Sequence, residues 1–307
     1  MQSSQVDFAD GLPTIDLVSD VVVRAGQRLS VSGNGGTLRL GKRQVQVHRG
    51  GALELARLGI AESAMSSAIV IEGVAAFANS TFIDCSARLN AVSEYGLESR
   101  GGAIAVIGGG TLGMLHCSMR RNAVRDGIKC SGGALFIHES SSAELVGTEL
   151  SNNLAIGGRT AAYGGAVRVR GSSSLRSVRS TLARNVADGG STTSFYVAAG
   201  AVYIDGDSVG EFSESEIVEN IARAGLCCPT GGAFYIAGSR LVLATSKINR
   251  NVAEGGVFGP GAGAISIYGN SASEIAGCEL LENTVRGGRS PGAGARVPRE
   301  REGEGKG

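Results

Sequence analysis

The chain has 307 residues, of which 49 are glycine and none tryptophan, and 29 basic against 28 acidic side chains leave a formal net charge of +1. So even a balance, with no dense basic run inside the body, excludes the phosphate-driven binding of nucleic acid. No window approaches the roughly 20 consecutive apolar residues of a membrane-spanning helix.

Residues 1–17 read as an N-terminal lead-in. The first basic residue is Arg24, so the start lacks the charged region and apolar run of a secretory signal. Either the protein is cytoplasmic or an upstream segment is missing. From residue 18 onward RLSVS, TLRLG, VQVHRGGALELARLGIA and AIVIEGVAAF alternate as short strands between glycine turns, and these atypical first rungs suit the cap that a solenoid needs.

A repeat then takes over. GGAI, GGAL, GGAV, AGAV, GGAF and AGAI put their second glycines at Gly102, Gly133, Gly165, Gly200, Gly232 and Gly263, spaced by 31, 32, 35, 32 and 31 residues. That period marks a solenoid, and the apolar residues that follow each glycine alternate with period two, as strands do. Each repeat ends on an asparagine: Asn122, Asn153, Asn185, Asn220, Asn251 and Asn283. Glycine to asparagine takes 20 residues in five repeats and 19 in the one from Gly232, whereas asparagine to the next glycine takes 11, 12, 15, 12 and 12. One turn per rung therefore tolerates insertion, and loops should emerge there, all on one side.

The columns between these marks are chemically uniform. Met119, Leu150, Leu182, Ile217, Ile248 and Leu280 stand three residues before each asparagine, and Cys117, Thr148, Ser180, Ser215, Ser246 and Cys278 two residues earlier. Upstream, Phe82 and Cys85 take the places of the apolar residue and the asparagine. Rungs stacked at about 4.8 Å would place like over like. The asparagines suit a tight corner because they tolerate left-handed backbone. The expected fold is an all-β, right-handed parallel β-helix over residues 18–288, with three short strands per rung and roughly eight or nine rungs. Residues 289–307, ending RVPREREGEGKG, read as a disordered low-complexity tail that leaves the last rung with an open edge.

The paired signature, GGA plus an apolar residue and later an apolar-x-x-Asn, resembles the repeats of polymorphic outer membrane proteins and other pectin-lyase-like β-helix proteins over roughly residues 18–285. The resemblance implies an adhesin-like passenger, extracellular or at the cell surface, that binds polysaccharide or a cell-surface protein. Enzymes that the resemblance also brings in act on acidic polysaccharides through clustered aspartates and a basic residue. Two outward columns of the first strand bear on this choice. Phe136, Arg168, Tyr203 and Tyr235 form an aromatic strip with a cation, suited to sugar rings or a protein surface, and Arg170 lies beside it. His138, Arg170 and Asp205 fall on successive rungs as an acid–base group, but with one carboxylate where a calcium-dependent lyase or inverting hydrolase needs two or three. A non-enzymatic binder is the first reading, and a polysaccharide lyase or glycosidase is the alternative. The six cysteines, Cys85, Cys117, Cys130, Cys227, Cys228 and Cys278, show neither disulfide-framework nor zinc spacing, and no cofactor or metal is expected.

Overall fold

The computed structural model describes residues 2–8, 14–64, 67–88, 91–93, 96–157, 161–189, 196–224, 229–255 and 261–287. The adjacent Cys227 and Cys228 and the tail after residue 287 lie outside them. The described residues hold strands and turns and no helix, and no helix is long and apolar enough to cross a membrane.

Three parallel sheets run the length of a β-helix. Among the described residues sheet A has ten strands, from Gln2–Asp7 to Ala272–Ala276; sheet B has nine, from Thr14–Asp16 to Lys247–Asn249; sheet C has nine, from Val21–Val23 to Ile265–Tyr268. Of the residues read as a lead-in, two strands thus already belong to the first rung: Gln2–Asp7 pairs with Gln27–Ser32, and Thr14–Asp16 with Thr37–Gly41. Alternation sends one set of side chains inward, where Phe77 meets Phe82 at 5.4 Å and Phe212 meets Phe234 at 5.0 Å within one continuous core.

Three strands per rung is correct for the first rungs only. From residue 86 the chain leaves sheet B through a strand of sheet D (Ser86–Arg88 to Thr284–Arg286, seven strands) and, through residue 230, returns through sheet E (Gly96–Arg100 to Pro229–Thr230) before entering sheet C. Sheet E opens with Ala91–Ser93 antiparallel to Gly96–Arg100. The insertion-tolerant turn is therefore a fin of two sheets. Its own core is narrow and alanine-rich: Ala87, Val124, Cys130, Ala155, Ala162, Ala187, Val197, Ala222 and Ala224.

The corners explain the repeat. A β-carbon on Gly133 would lie 2.1 Å from the Gly165 carbonyl oxygen, and the other second glycines from Gly102 to Gly232 face the same obstacle. No side chain fits there. The asparagines are stacked, buried from Asn122 to Asn251 and half-buried at Asn283, but they are not the left-handed residues. That backbone belongs to the residue before each one, Arg121, Asn152, Arg184, Glu219, Arg250 and Glu282, with φ between 54° and 58°. The asparagine holds the corner through its side chain instead. Asn153 Nδ2 donates to Asn185 Oδ1 at 2.9 Å and to the Met119 carbonyl at 3.0 Å, and its neighbours repeat the pattern up to Asn283. Cys85 stands one rung below the ladder, its backbone N–H donating to Asn122 Oδ1 at 3.1 Å.

Two serine columns do similar work. At the corner from A to B, the Ser180 N–H donates to Ser215 Oγ at 3.2 Å; at the corner from C to A, the Ser173 N–H donates to Ser208 Oγ, also at 3.2 Å. The repeat from Gly232 loses its residue at this second corner, where Ala237-Gly238-Ser239 replaces Asp205-Gly206-Asp207-Ser208. Ser239 keeps its place, accepting the Ser208 N–H at 3.1 Å.

Candidate functional site

Sheet E rises from sheet C at the glycine corners, so their faces meet in an inner angle that runs along the rod. From sheet E the column Arg100, Ser131, Tyr163, Ala198, Thr230 faces this angle, because the alternate residues Cys130, Ala162 and Val197 fill the fin. From sheet C come Phe136, Arg168, Tyr203 and Tyr235, in register on successive rungs.

Arg168 is the centre of this cleft. Its guanidinium reaches Asp205 through Nε and Nη2 at 3.3 and 2.8 Å, Glu98 through Nη1 at 3.0 Å, and Ser131 Oγ at 2.7 Å. Its carbon lies 4.3 Å from the Tyr163 ring centre and 5.0 Å from that of Tyr203. Glu98 also takes Arg100 and the Ser131 hydroxyl. Burial pushes the Glu98 carboxyl up, but the Arg168 and Arg100 cations more than reverse this and hold it below the usual carboxylate range. Tyr163 stacks on Tyr203 at 5.1 Å and Tyr203 on Tyr235 at 5.3 Å, while the Tyr196 and Tyr235 hydroxyls share a hydrogen bond. Burial raises the Tyr203 hydroxyl far from ionisation.

The structure thus brings the sequence-predicted residues together but does not expose them. Phe136 is 0% exposed, Arg168 4%, Tyr203 7% and Tyr235 4%, because sheet E covers them. An outward strip open to a ligand is therefore incorrect: the ring faces are spent on each other and on arginine. Of the acid–base group, His138, Arg170 and Asp205 are half-buried at the edge of the cleft. Asp205 is committed to Arg168, and His138 Nδ1 lies 3.4 Å from the Arg170 carbonyl. Burial and the Arg170 charge lower the His138 pKa from its usual 6.5. Glu98, Arg100, Ser131, Tyr163 and Tyr196 were not foreseen. Arg100, Ser131 and Tyr163 share a signal in the sequence, since each stands two residues before the second glycine of its repeat.

An open site lies elsewhere, on the outer face of sheet A. A groove of about 580 Å³ crosses the first six strands of that sheet. Its floor is small and apolar, with Ala56, Ala76, Ala78 and Gly113, and Leu115 and Val146 at one side. Glu54 and Glu144 stand in the same outward column on either side of Ala76 and Gly113. Glu54 pairs with Arg28 and accepts the Ser30 hydroxyl at 2.9 Å, which with the Arg28 charge lowers its pKa against a modest cost of burial; Glu144 pairs with Arg176. Gly113 is the unusual member. It sits mid-strand with no left-handed φ, and a β-carbon built on it would meet nothing within 4 Å. Packing does not require glycine there.

No family model and no curated protein matches the chain. Among solved structures it is similar to the crystal structure of the periplasmic alginate epimerase AlgG, at a TM-score of 0.37 and 10% identity over 91% of this chain and 84% of that one. A likeness of this degree bears on neither substrate nor location.

Proposed function

We propose that this chain is a non-enzymatic β-helix that binds carbohydrate along the sheet A groove. The observation that carries the reading is Gly113. Glycine weakens a strand interior, and where no neighbour demands it, it marks the close approach of something else. The groove follows the rod over five rung steps, roughly 24 Å at 4.8 Å per step, which suits a linear chain. Its small apolar floor can take ring faces. The Arg28–Glu54 and Arg176–Glu144 pairs offer planar donors and acceptors to hydroxyls, in the usual proportion of an apolar site with a few oriented polar groups.

Two features argue against turnover. Glu54 and Glu144 are three rungs apart, roughly 14 Å, beyond the ~6.5–9.5 Å between the carboxyls of inverting glycosidases. In the cleft, Glu98 and Asp205 are both held by Arg168, and Glu98 is shifted away from the protonated form that a general acid requires. The repeat signature, which resembles that of adhesin passengers, supports an extracellular or cell-surface setting for such a binder.

A glycan array followed by titration tests the reading. Gly113→Leu, which fills open space, should weaken binding of any hit about tenfold or more without lowering the melting temperature. Unchanged binding moves the site off sheet A. A reducing-end assay run alongside would, by showing turnover, favour the lyase or glycosidase instead.

A further inference from the structure

The cleft between sheets C and E carries a cation that its carboxylates do not neutralise. Among the described residues Arg100, Arg168 and Arg170 stand in it or at its edge, against Glu98 and Asp205. Both carboxylates are taken. Arg168 holds Asp205 at 2.8 Å and Glu98 at 3.0 Å, and Glu98 also binds Arg100 at 3.0 Å. Arg170 is left over: it is half-buried, yet among the described residues its side chain makes no ion pair and no hydrogen bond. The other arginines without such a partner, Arg24, Arg43, Arg125, Arg179 and Arg286, are exposed, where water serves them. A cation drawn partly out of water without a partner carries a cost that a bound anion removes.

The surroundings of Arg170 form a small mouth. His138 stands one rung before it in the same outward column, its ring over Gly171, where a β-carbon would come within 2.6 Å of Nδ1. Nδ1 lies 3.4 Å from the Arg170 carbonyl and Nε2 3.6 Å from Glu139 Oε1. Phe136 meets the His138 ring edge-on at 5.7 Å and carries the Arg100 guanidinium over its face at 5.2 Å. Arg100 thus approaches from sheet E, His138 and Arg170 from sheet C, and Phe136 supplies an apolar wall. The side chains of His138 and Arg100 are 19% and 17% exposed, so the mouth is reachable but partly dry. We propose that it binds an oxyanion, the carboxylate, sulfate or phosphate group of a small molecule, between the Arg170 guanidinium and the His138 ring.

A guanidinium offers such a group two parallel N–H donors, and a protonated imidazole adds a third. The neighbouring carboxylates do not fill this role. Asp205 turns both oxygens to Arg168, at 3.3 and 2.8 Å, and Glu139, 55% exposed, accepts the Gly108 N–H at 3.2 Å and reaches His138 rather than Arg170. Occupancy is coupled to the protonation of His138. Burial and then the Arg170 charge disfavour the imidazolium, with a smaller effect of Arg100, while the Arg170 carbonyl and Glu139 favour it. An anion supplies the missing negative charge and therefore raises the His138 pKa. By reciprocity it binds more tightly as pH falls, and a tenfold preference for the protonated ring equals a rise of about one pH unit.

NMR titration of the His138 ring in the full chain tests this, with sodium acetate, sulfate and phosphate each added at an ionic strength fixed by sodium chloride. At least one of the three should raise the His138 pKa saturably, by about half a unit or more, and which one does so separates a planar from a tetrahedral ligand. Arg170→Gln should weaken that response about tenfold or more and, with no added anion, raise the His138 pKa by removing the repulsion. Arg179→Gln, exposed and outside the cleft, should alter neither. If Arg170→Gln lowers the melting temperature, Arg170→Lys keeps the charge but loses the paired donors, and should still bind more weakly. A His138 pKa that none of the three salts moves, or a response as strong in the Arg170 variants as in the wild type, would overturn the proposal.

Discussion

Asn185 donates its side-chain amide to Asn220 Oδ1 at 2.9 Å, while its own Oδ1 receives the backbone N–H and the amide of Asn153 at 3.0 and 2.9 Å. One side chain thus serves three rungs, since the same amide also caps the Leu150 carbonyl at 2.9 Å. Asn185→Ala strands buried groups on both sides and should cost about 1–3 kcal/mol. Asn270, exposed and outside the ladder, should accept alanine within about 0.5 kcal/mol. Equal shifts in denaturation midpoint for the two variants would show that the ladder contributes nothing.

Arg168 is the second sensitive point. Its side chain is 5% exposed and that of Glu98 1%, so removing the cation leaves an ionised carboxylate buried with less than its full set of partners. Arg168→Met should destabilise by about 3–5 kcal/mol. Adding Glu98→Gln removes the orphaned charge, and the double variant should recover about 1 kcal/mol or more. A double variant as unstable as the sum of the two singles would mean that the pair is not coupled.

His138 predicts a pH dependence. Its pKa is lowered in the folded state, so below the ordinary value of 6.5 the unfolded chain binds the proton more readily than the folded one. Stability is therefore flat above that pH and falls as pH drops through it toward the folded pKa. Glu98 adds a second loss at lower pH, because its lowered carboxyl contributes stability above the ordinary carboxylate range that disappears on protonation. Melting temperatures across pH should show the first slope in the wild type and a shallower one in His138→Gln. Identical profiles would remove His138 from the account.

Gly113 and Gly133 should respond oppositely to one methyl group. Gly133→Ala drives a β-carbon to 2.1 Å from a backbone oxygen and should unfold the rung or cost several kcal/mol. Gly113→Ala meets open space and should stabilise the strand by about 0.5–1 kcal/mol, while weakening ligand binding. Stability that rises as affinity falls is the pattern of a residue kept for its ligand. A Gly113→Ala variant less stable than the wild type would show that packing, not binding, holds glycine there.

What the sequence disclosed followed from repetition. The Gly102-to-Gly263 and Asn122-to-Asn283 columns are legible because every rung imposes the same steric and hydrogen-bonding demand. The serine column of the C-to-A corner, Ser141, Ser173, Ser208, Ser239 and Ser271, keeps step with them at spacings of 32, 35, 31 and 32, and was open to the same reading. The fin was not. Its strands are mostly three residues long, its core is alanine, and its length varies from rung to rung, so neither periodicity nor large apolar residues announce it. That omission also misplaced the aromatic strip: the outward face of sheet C is apparent from Tyr203 and Tyr235, but the sheet that covers it is not. The sheet A groove escaped for another reason. Ala76 and Gly113 signal it only by lacking side chains, and they stand in consecutive rungs separated by 37 residues of sequence.

The missing residue between Gly232 and Asn251 shows how such a chain can change in evolution. It falls where the path turns, and Ser239 still finds its neighbour, whereas the same deletion inside Arg240–Ala244 would reverse the facing of every side chain beyond it. Losses and gains are therefore confined to corners and the fin, or else come as a whole turn. Because each rung reads only the rungs on either side, duplicating one complete turn within the gene would leave every column unbroken. The rod can be lengthened by copying, in steps of one circuit, with the groove and the cleft carried along unchanged.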